Sequence, residues 1–166
     1  SAASDVYKRQ ISGDMNPDLA IFLFRLVAVA GVALIMVFVP LLARRLGVNG
    51  AWAQWISVAN PLFTISFVAS GHNDALMVGL ALAGTWCALR AGHPLRPQRP
   101  GQSVAWGVAG VVLVTLSLGI KPITLVLLPF IGLLWAGPTA RWPRRFAFWA
   151  LTAGTVSYTH LRAHET

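Results

Sequence analysis

The chain has 166 residues, of which 56% are hydrophobic and 11% charged, with a formal charge of +8. A water-soluble domain carries about 25% charged residues, so an ordinary soluble fold is excluded, and the lone Cys87, set in an apolar run, excludes a disulfide framework. The basic excess does not mark a nucleic-acid binder, because the arginines sit in short loops between long apolar runs, as retained cytoplasmic loops do.

These runs predict an all-α membrane protein, a polytopic transmembrane helix bundle of about six spans. Residues 1–10 (SAASDVYKRQ) and 156–166 (VSYTHLRAHET) read as non-native, adapter-like tails, which leaves 11–155 as a piece of a longer membrane protein. The first span, 19–40, has 22 residues and would extend about 33 Å as a helix, enough to cross the hydrocarbon. Asp14 and Asp18 precede or open it, as loop or N-cap residues, and Arg25 lies near its outer end. The second span, 52–70, begins with Trp52 and Trp55, suited to the interfacial aromatic belt. Pro61 lies inside it and should kink or interrupt the helix. The turn Gly71-His72-Asn73-Asp74 leads into the third span, 75–91. The fourth and fifth spans, 103–120 and 123–136, are separated by a tight break at Lys121-Pro122. A sixth covers 146–155. Gly107 to Gly110 predict close helix packing by small residues.

Charge sets the expected sidedness. The loops after spans one, three and five, with the last turn of span three, hold eight arginines, namely Arg44, Arg45, Arg90, Arg96, Arg99, Arg141, Arg144 and Arg145. The loops after spans two and four hold one cation, Lys121. By the positive-inside tendency the basic set is cytoplasmic, so the GHND and Lys121 turns share the extracytoplasmic face with Asp14, Asp18 and Arg25. Charges at membrane depth cost about 2.5–3.5 kcal/mol on insertion scales and usually have a partner or a function.

The candidate substrate-binding residues are therefore His72, Asn73, Asp74, Lys121 and Arg25. Gly71 and Asn73 or Asp74 also serve a turn and helix cap, but that leaves a row of His, Asn and Asp only partly explained. Asp74 could accept hydrogen bonds from sugar hydroxyls, and His72 could donate to a phosphate or hydroxyl. Lys121 could snorkel, or meet a phosphate beside the helix N-terminus that follows it. Arg25 suits either a structural ion pair or a phosphate contact. One His beside one Asp is too little for a protein-built metal site, so no cofactor is evident, with a divalent metal left open. No nucleophile triad or P-loop is present.

Asn60-Pro61-Leu62, Gly71-His72-Asn73-Asp74-Ala75-Leu76-Met77-Val78-Gly79-Leu80 and Leu42-Ala43-Arg44-Arg45-Leu46-Gly47-Val48 carry a resemblance, with Lys121-Pro122 and the run to Leu128-Pro129-Phe130. The chain resembles the actinobacterial polyprenol-phosphate-mannose-dependent α-(1,6)-mannosyltransferases of mannan and lipomannan biosynthesis over about 20–140. The resemblance implies a GT-C-type membrane glycosyltransferase of a bacterial plasma membrane, with its active site on the extracytoplasmic face. It implies a polyprenyl phosphate mannose donor, a mannan or glycolipid acceptor, and inversion at the anomeric carbon with an aspartate as general base. In such enzymes that aspartate usually lies in the first extracytoplasmic loop, expected upstream of this chain, so no catalytic residue is assigned and the piece alone is expected to be inactive. A fragment of a transporter or flippase is the alternative, and a non-catalytic membrane scaffold the third reading. A transporter should place polar groups near the bilayer midplane rather than at one face.

Overall fold

The computed structural model describes residues 17–65, 74–93 and 101–163. Its first helix, α1 (Pro17–Arg45), opens on a proline, where no N–H is required, with Asp18 in the first turn and Arg44 and Arg45 in the last. Each charge has the sign that its helix end favours. The helix passes through Pro40 instead of ending there. Proline forfeits the bond to the carbonyl four residues back, but the following turn still closes, with Leu46 N donating to Leu42 O at 3.1 Å. The stop comes at Gly47, whose φ of 75° permits the reversal. Val48 N then reaches back to Ala43 O at 2.9 Å and Gly47 N to Arg44 O at 3.3 Å, the paired bonds of a glycine-terminated helix. Asn49 starts α2 (Gly50–Val58) by accepting from Ala51 N and Trp52 N.

α2 packs back on α1. Trp52 and Trp55 are exposed on it and stack at 5.8 Å. The helix breaks at Ala59–Asn60, and α3 (Pro61–Thr64) resumes from Pro61. The interruption expected at Pro61 is present, and the expected span 52–70 is not a continuous helix. Residues 66–73, the rest of that span and most of the GHND turn, lie outside the described residues.

α4 (Asp74–Ala91) and α5 (Gln102–Ile120) form an antiparallel hairpin at the centre. Their contact is close because glycine faces glycine. A Cβ on Gly84 would stand 2.8 Å from Gly110 O, and one on Gly110 would stand 2.9 Å from Gly84 O. Side chains from the hairpin and the next helix fill the space beside that seam, with Ala88, Val114, Leu128 and Ile131 as the buried cluster. α1 lies parallel to α4: Gly31 meets Ala75 and Leu76, and Arg45 reaches Leu89.

After α5 the chain forms a 3-10 helix (Pro122–Val126) and then α6 (Leu127–Ala136). Pro129 explains the change. An α-helix begun at Pro122 would place Pro129 in its interior, whereas one begun at Leu127 places it in the first turn, where its missing N–H is harmless. α6 ends at Gly137, with φ 86°, and α7 (Trp142–Ala163) turns back to pack on it. Trp135 and Phe148 meet edge to face at 4.9 Å across that contact.

Among the described residues three helical segments are long and apolar enough to cross a membrane: Ile21–Arg45 of α1, α4 and α5. The unit Pro122–Ala136 is apolar but shorter. About six spans were expected, so the structure gives an all-helical protein with three candidate spans. Hydrophobic residues on α1 and α5, including Phe22, Phe24, Val112 and Leu116, are exposed. Large apolar side chains exposed in this number suit lipid, not water.

Candidate functional site at the Asp74–Lys121 corner

The α4–α5 hairpin has two chemically different ends. At one end lie Arg90 in the last turn of α4, Arg45 beside Leu89, and Ser103, whose hydroxyl donates to Ala91 O at 2.9 Å. At the other end lie the first residue of α4 and the last of α5. Asp74 stands in the first turn of α4 and Lys121 caps the C-terminus of α5. A carboxylate at a helix N-terminus and an ammonium at a C-terminus are each favoured by the helix dipole. The antiparallel register then brings the two together: Lys121 Nζ lies 2.5 Å from Asp74 Oδ1. The Lys121 side chain is 49% exposed and that of Asp74 30%. An ion pair so open in water would contribute about 0–1 kcal/mol, so it positions charge more than it stabilises the hairpin.

One turn inward the corner is clamped by a buried contact. Ser117 is fully buried, and its hydroxyl donates to Met77 O at 2.8 Å. Ser117 and Lys121 are four residues apart on one face of α5, so the serine sets the register that delivers the lysine. Below them Thr124 is buried and donates its hydroxyl to Lys121 O at 3.1 Å. This fixes the lysine's backbone between the two helices. Sequence reasoning singled out Asp74 and Lys121 but missed Ser117, Met77 and Thr124. A signal was available: Gly107, Gly110, Val114 and Ser117 form one buried stripe on α5, and Lys121 is its next member.

The other candidates are distributed differently. His72 and Asn73 lie outside the described residues, as does Asp14. Asp18 is exposed in the first turn of α1. Arg25 is exposed on α1, six residues before the Gly31 that packs on Ala75 and Leu76, hence about 9 Å further along the axis. It lies toward the Asp74 end and is not brought to the Asp74–Lys121 pair. Among the described residues no group of three metal-ligating side chains occurs. Cys87 is buried in α4, as a packing residue. The close packing expected of the Gly107–Gly110 stretch is present, with Gly107 against the Trp135 ring and Gly110 against α4.

Comparison with known proteins decides the relationship. The model of the alpha-(1->6)-mannopyranosyltransferase family, N-terminal domain, matches residues 6–137. The chain belongs to this family. It is 36% identical to a probable alpha-(1->6)-mannopyranosyltransferase of Mycolicibacterium smegmatis, over 83% of this chain and 27% of that protein. It is 34% identical to alpha-(1->6)-mannopyranosyltransferase A of Mycobacterium tuberculosis, over 68% of this chain and 19% of that one. The Corynebacterium glutamicum protein of the same name is 31% identical, over 76% of this chain and 22% of its own length. The chain thus spans about a quarter of the length of the curated relatives it matches. No solved structure matches it significantly. Membership of the mannopyranosyltransferase family, with three apolar helices of spanning length, makes this a membrane protein.

Proposed function

We propose that this chain is part of an integral membrane mannosyltransferase of the GT-C class, built as a bundle of about six spans in the plasma membrane of a bacterium. It transfers mannose from a polyprenyl phosphate donor to a mannan or glycolipid acceptor on the extracytoplasmic side. Homologues named as alpha-(1->6)-mannopyranosyltransferases support the sugar and the linkage. The donor is what the family resemblance implies, and the sidedness rests on the distribution of the arginines. The observation that carries the reading is the Asp74–Lys121 corner, at the end of the central hairpin opposite its arginines. With the Arg-rich end cytoplasmic, Lys121 stands at the leaflet where a lipid-linked sugar would present its phosphate.

The chemistry follows from the bond changes. The acceptor's 6-hydroxyl oxygen attacks the anomeric carbon, the bond from that carbon to the phosphate oxygen breaks, and polyprenyl phosphate leaves with the electron pair. The hydroxyl proton passes to a general base. Negative charge grows on the departing phosphate, so a fixed ammonium beside it lowers the barrier. Lysine carries three N–H donors, so beside its ion pair with Asp74 it has donors to offer phosphate oxygens. The Asp74 carboxylate is committed to Lys121, which supports an orienting role for it rather than the general-base role. His72 and Asn73 precede Asp74 directly and would contribute donors to the phosphate or sugar. Arg25, further out on α1, would meet the donor at the membrane surface.

The test is mannosyl transfer from polyprenyl phosphate mannose by the full-length protein in membranes. Lys121→Ala is expected to lower transfer at least about tenfold, roughly 1.4 kcal/mol of barrier, with Lys121→Arg retaining more. Asp74→Asn and His72→Ala should each reduce transfer while membrane insertion persists. Wild-type rates in the properly inserted Lys121→Ala and Asp74→Asn proteins would remove the corner from the site.

A further inference from the structure

The Arg-rich end of the bundle holds a cavity of about 450 Å³ where α1, α4, α6 and α7 converge. Arg45, His93 and Arg145 supply its polar lining, and Leu46, Leu89 and Leu134 its apolar walls. Two observations indicate that Arg45 and Arg145 lack an acidic counter-charge among the described residues. Among the described residues the acidic side chains are Asp18 and Asp74, both toward the opposite end. Further, Arg145 Nε is buried and, among the described residues, has no hydrogen-bond partner. Among the described residues Arg45 reaches a backbone carbonyl, Leu89 O at 3.5 Å, the outer limit of a hydrogen bond. A buried donor of this kind is normally satisfied, and a guanidinium is suited to phosphate oxygens.

A second hollow, of about 300 Å³, adjoins the first and shares Leu133 and Arg145 with it. Its other walls are Trp142, Phe146 and Trp149, with Phe146 and Trp149 stacked at 5.8 Å. A cationic chamber thus continues into an aromatic, apolar groove, with Arg145 at the junction. A free anion would occupy only the first. An amphipathic anion fills both, its phosphate between Arg45 and Arg145 and its acyl chain along Phe146 and Trp149.

We infer that this paired cavity binds one anionic phospholipid of the leaflet at the Arg-rich end, at a site separate from the Asp74–Lys121 corner. Basic pockets between membrane helices commonly take such head groups. Bound there, the lipid bridges α1, α4, α6 and α7 and holds α6 and α7 against the central hairpin.

The test is native mass spectrometry of the full-length protein in detergent, titrated with dioleoyl phosphatidylglycerol, dioleoyl phosphatidylcholine or inorganic phosphate. One tightly held phosphatidylglycerol is expected, with phosphatidylcholine and inorganic phosphate each at least about tenfold weaker, a difference of roughly 1.4 kcal/mol. Combined Arg45→Gln and Arg145→Gln should abolish that preference, and Arg45→Lys with Arg145→Lys should keep part of it. Leu133→Trp leaves every cation in place but fills the junction, and should also weaken phosphatidylglycerol. Arg141→Gln, an exposed cation outside the lining, should change nothing. Equal retention of the two lipids would overturn the inference, as would an equal effect of Arg141→Gln. Inorganic phosphate binding as tightly as phosphatidylglycerol would make this a small-anion site and overturn the lipid assignment. None of these measurements depends on mannosyl transfer.

Discussion

Gly84→Ala tests whether the glycine seam of the central hairpin holds the Asp74–Lys121 corner in register. The added methyl would lie 2.6 Å from Val114 Cγ2 and 2.8 Å from Gly110 O, where ordinary contact begins at 3.4 Å. Val114 sits in the buried cluster and Gly110 O is backbone, so clearing Gly110 O alone requires α4 and α5 to part by about 0.6 Å, and Val114 must give further, a typical overpacking response costing about 1–3 kcal/mol. Parting by that much would stretch the Ser117–Met77 bond from 2.8 Å toward about 3.4 Å, beyond good hydroxyl geometry. Alanine also gains helix propensity over glycine, by about 1 kcal/mol, and that gain must be separated out. Gly119→Ala does so: it lies on the same helix as the corner, and nothing stands within 4 Å of its added methyl. The assay is thermal unfolding of the full-length protein in detergent, with mannosyl transfer measured on the same preparations. Gly84→Ala should melt below Gly119→Ala by an amount corresponding to about 1–3 kcal/mol and lose transfer, while Gly119→Ala keeps it. Identical melting points and rates for the two variants would refute the claim that the seam sets the corner.

Further expectations follow from single contacts. Ser117→Val removes the hydroxyl donated to Met77 O and should cost about 0.5–1.5 kcal/mol in the same melt, with a loss of transfer. The exchange Asp74→Lys with Lys121→Asp keeps the pair but moves the cation to α4 and opposes both helix dipoles, a penalty of about 0.3–1 kcal/mol per end. Insertion should survive it and transfer should not, whereas restored transfer would make the pair merely structural. Arg90 Cζ lies 5.0 Å from the Trp86 ring and 4.7 Å from the Trp106 ring, so Arg90→Leu should destabilise by about 1–2 kcal/mol, with Arg90→Lys milder. For sidedness, Cys87, which is 5% exposed, is first replaced by alanine. A membrane-impermeant maleimide on intact cells should then label Ile123→Cys and not Arg141→Cys. Labelling of both from outside, or of neither before lysis, would overturn the topology.

Local rules made much of the protein legible before any tertiary information. The runs around 19–40, 75–91 and 103–120 are apolar for long enough that, in a bilayer, a helix is the structure that satisfies their backbones. Pro61 announces a break because it lacks an N–H, and the break is found beside it. Asp74 and Lys121 were legible as candidates because charges at the ends of apolar runs need a reason to be there. Hydropathy counts, however, do not report helix type or unit length. The fifth run became a 3-10 helix followed by a short α6 through the placement of Pro122 and Pro129. Three described helices, not six, have the length and apolarity to cross.

What the order of residues alone determined is which segments leave water and which end of each carries charge, since both follow from transfer energies summed along a single helix. What only the tertiary structure decided is pairing. Asp74 and Lys121 are 47 positions apart, and their contact depends on the depth at which Gly84 and Gly110 let two helices meet and on the Ser117 bond that fixes the slide. The meeting of Arg45 and Arg145 around one cavity likewise depends on how α1, α4, α6 and α7 pack. Register between helices is set by the fit of side chains across a shared surface, and a one-dimensional pattern of hydropathy carries no information about that fit.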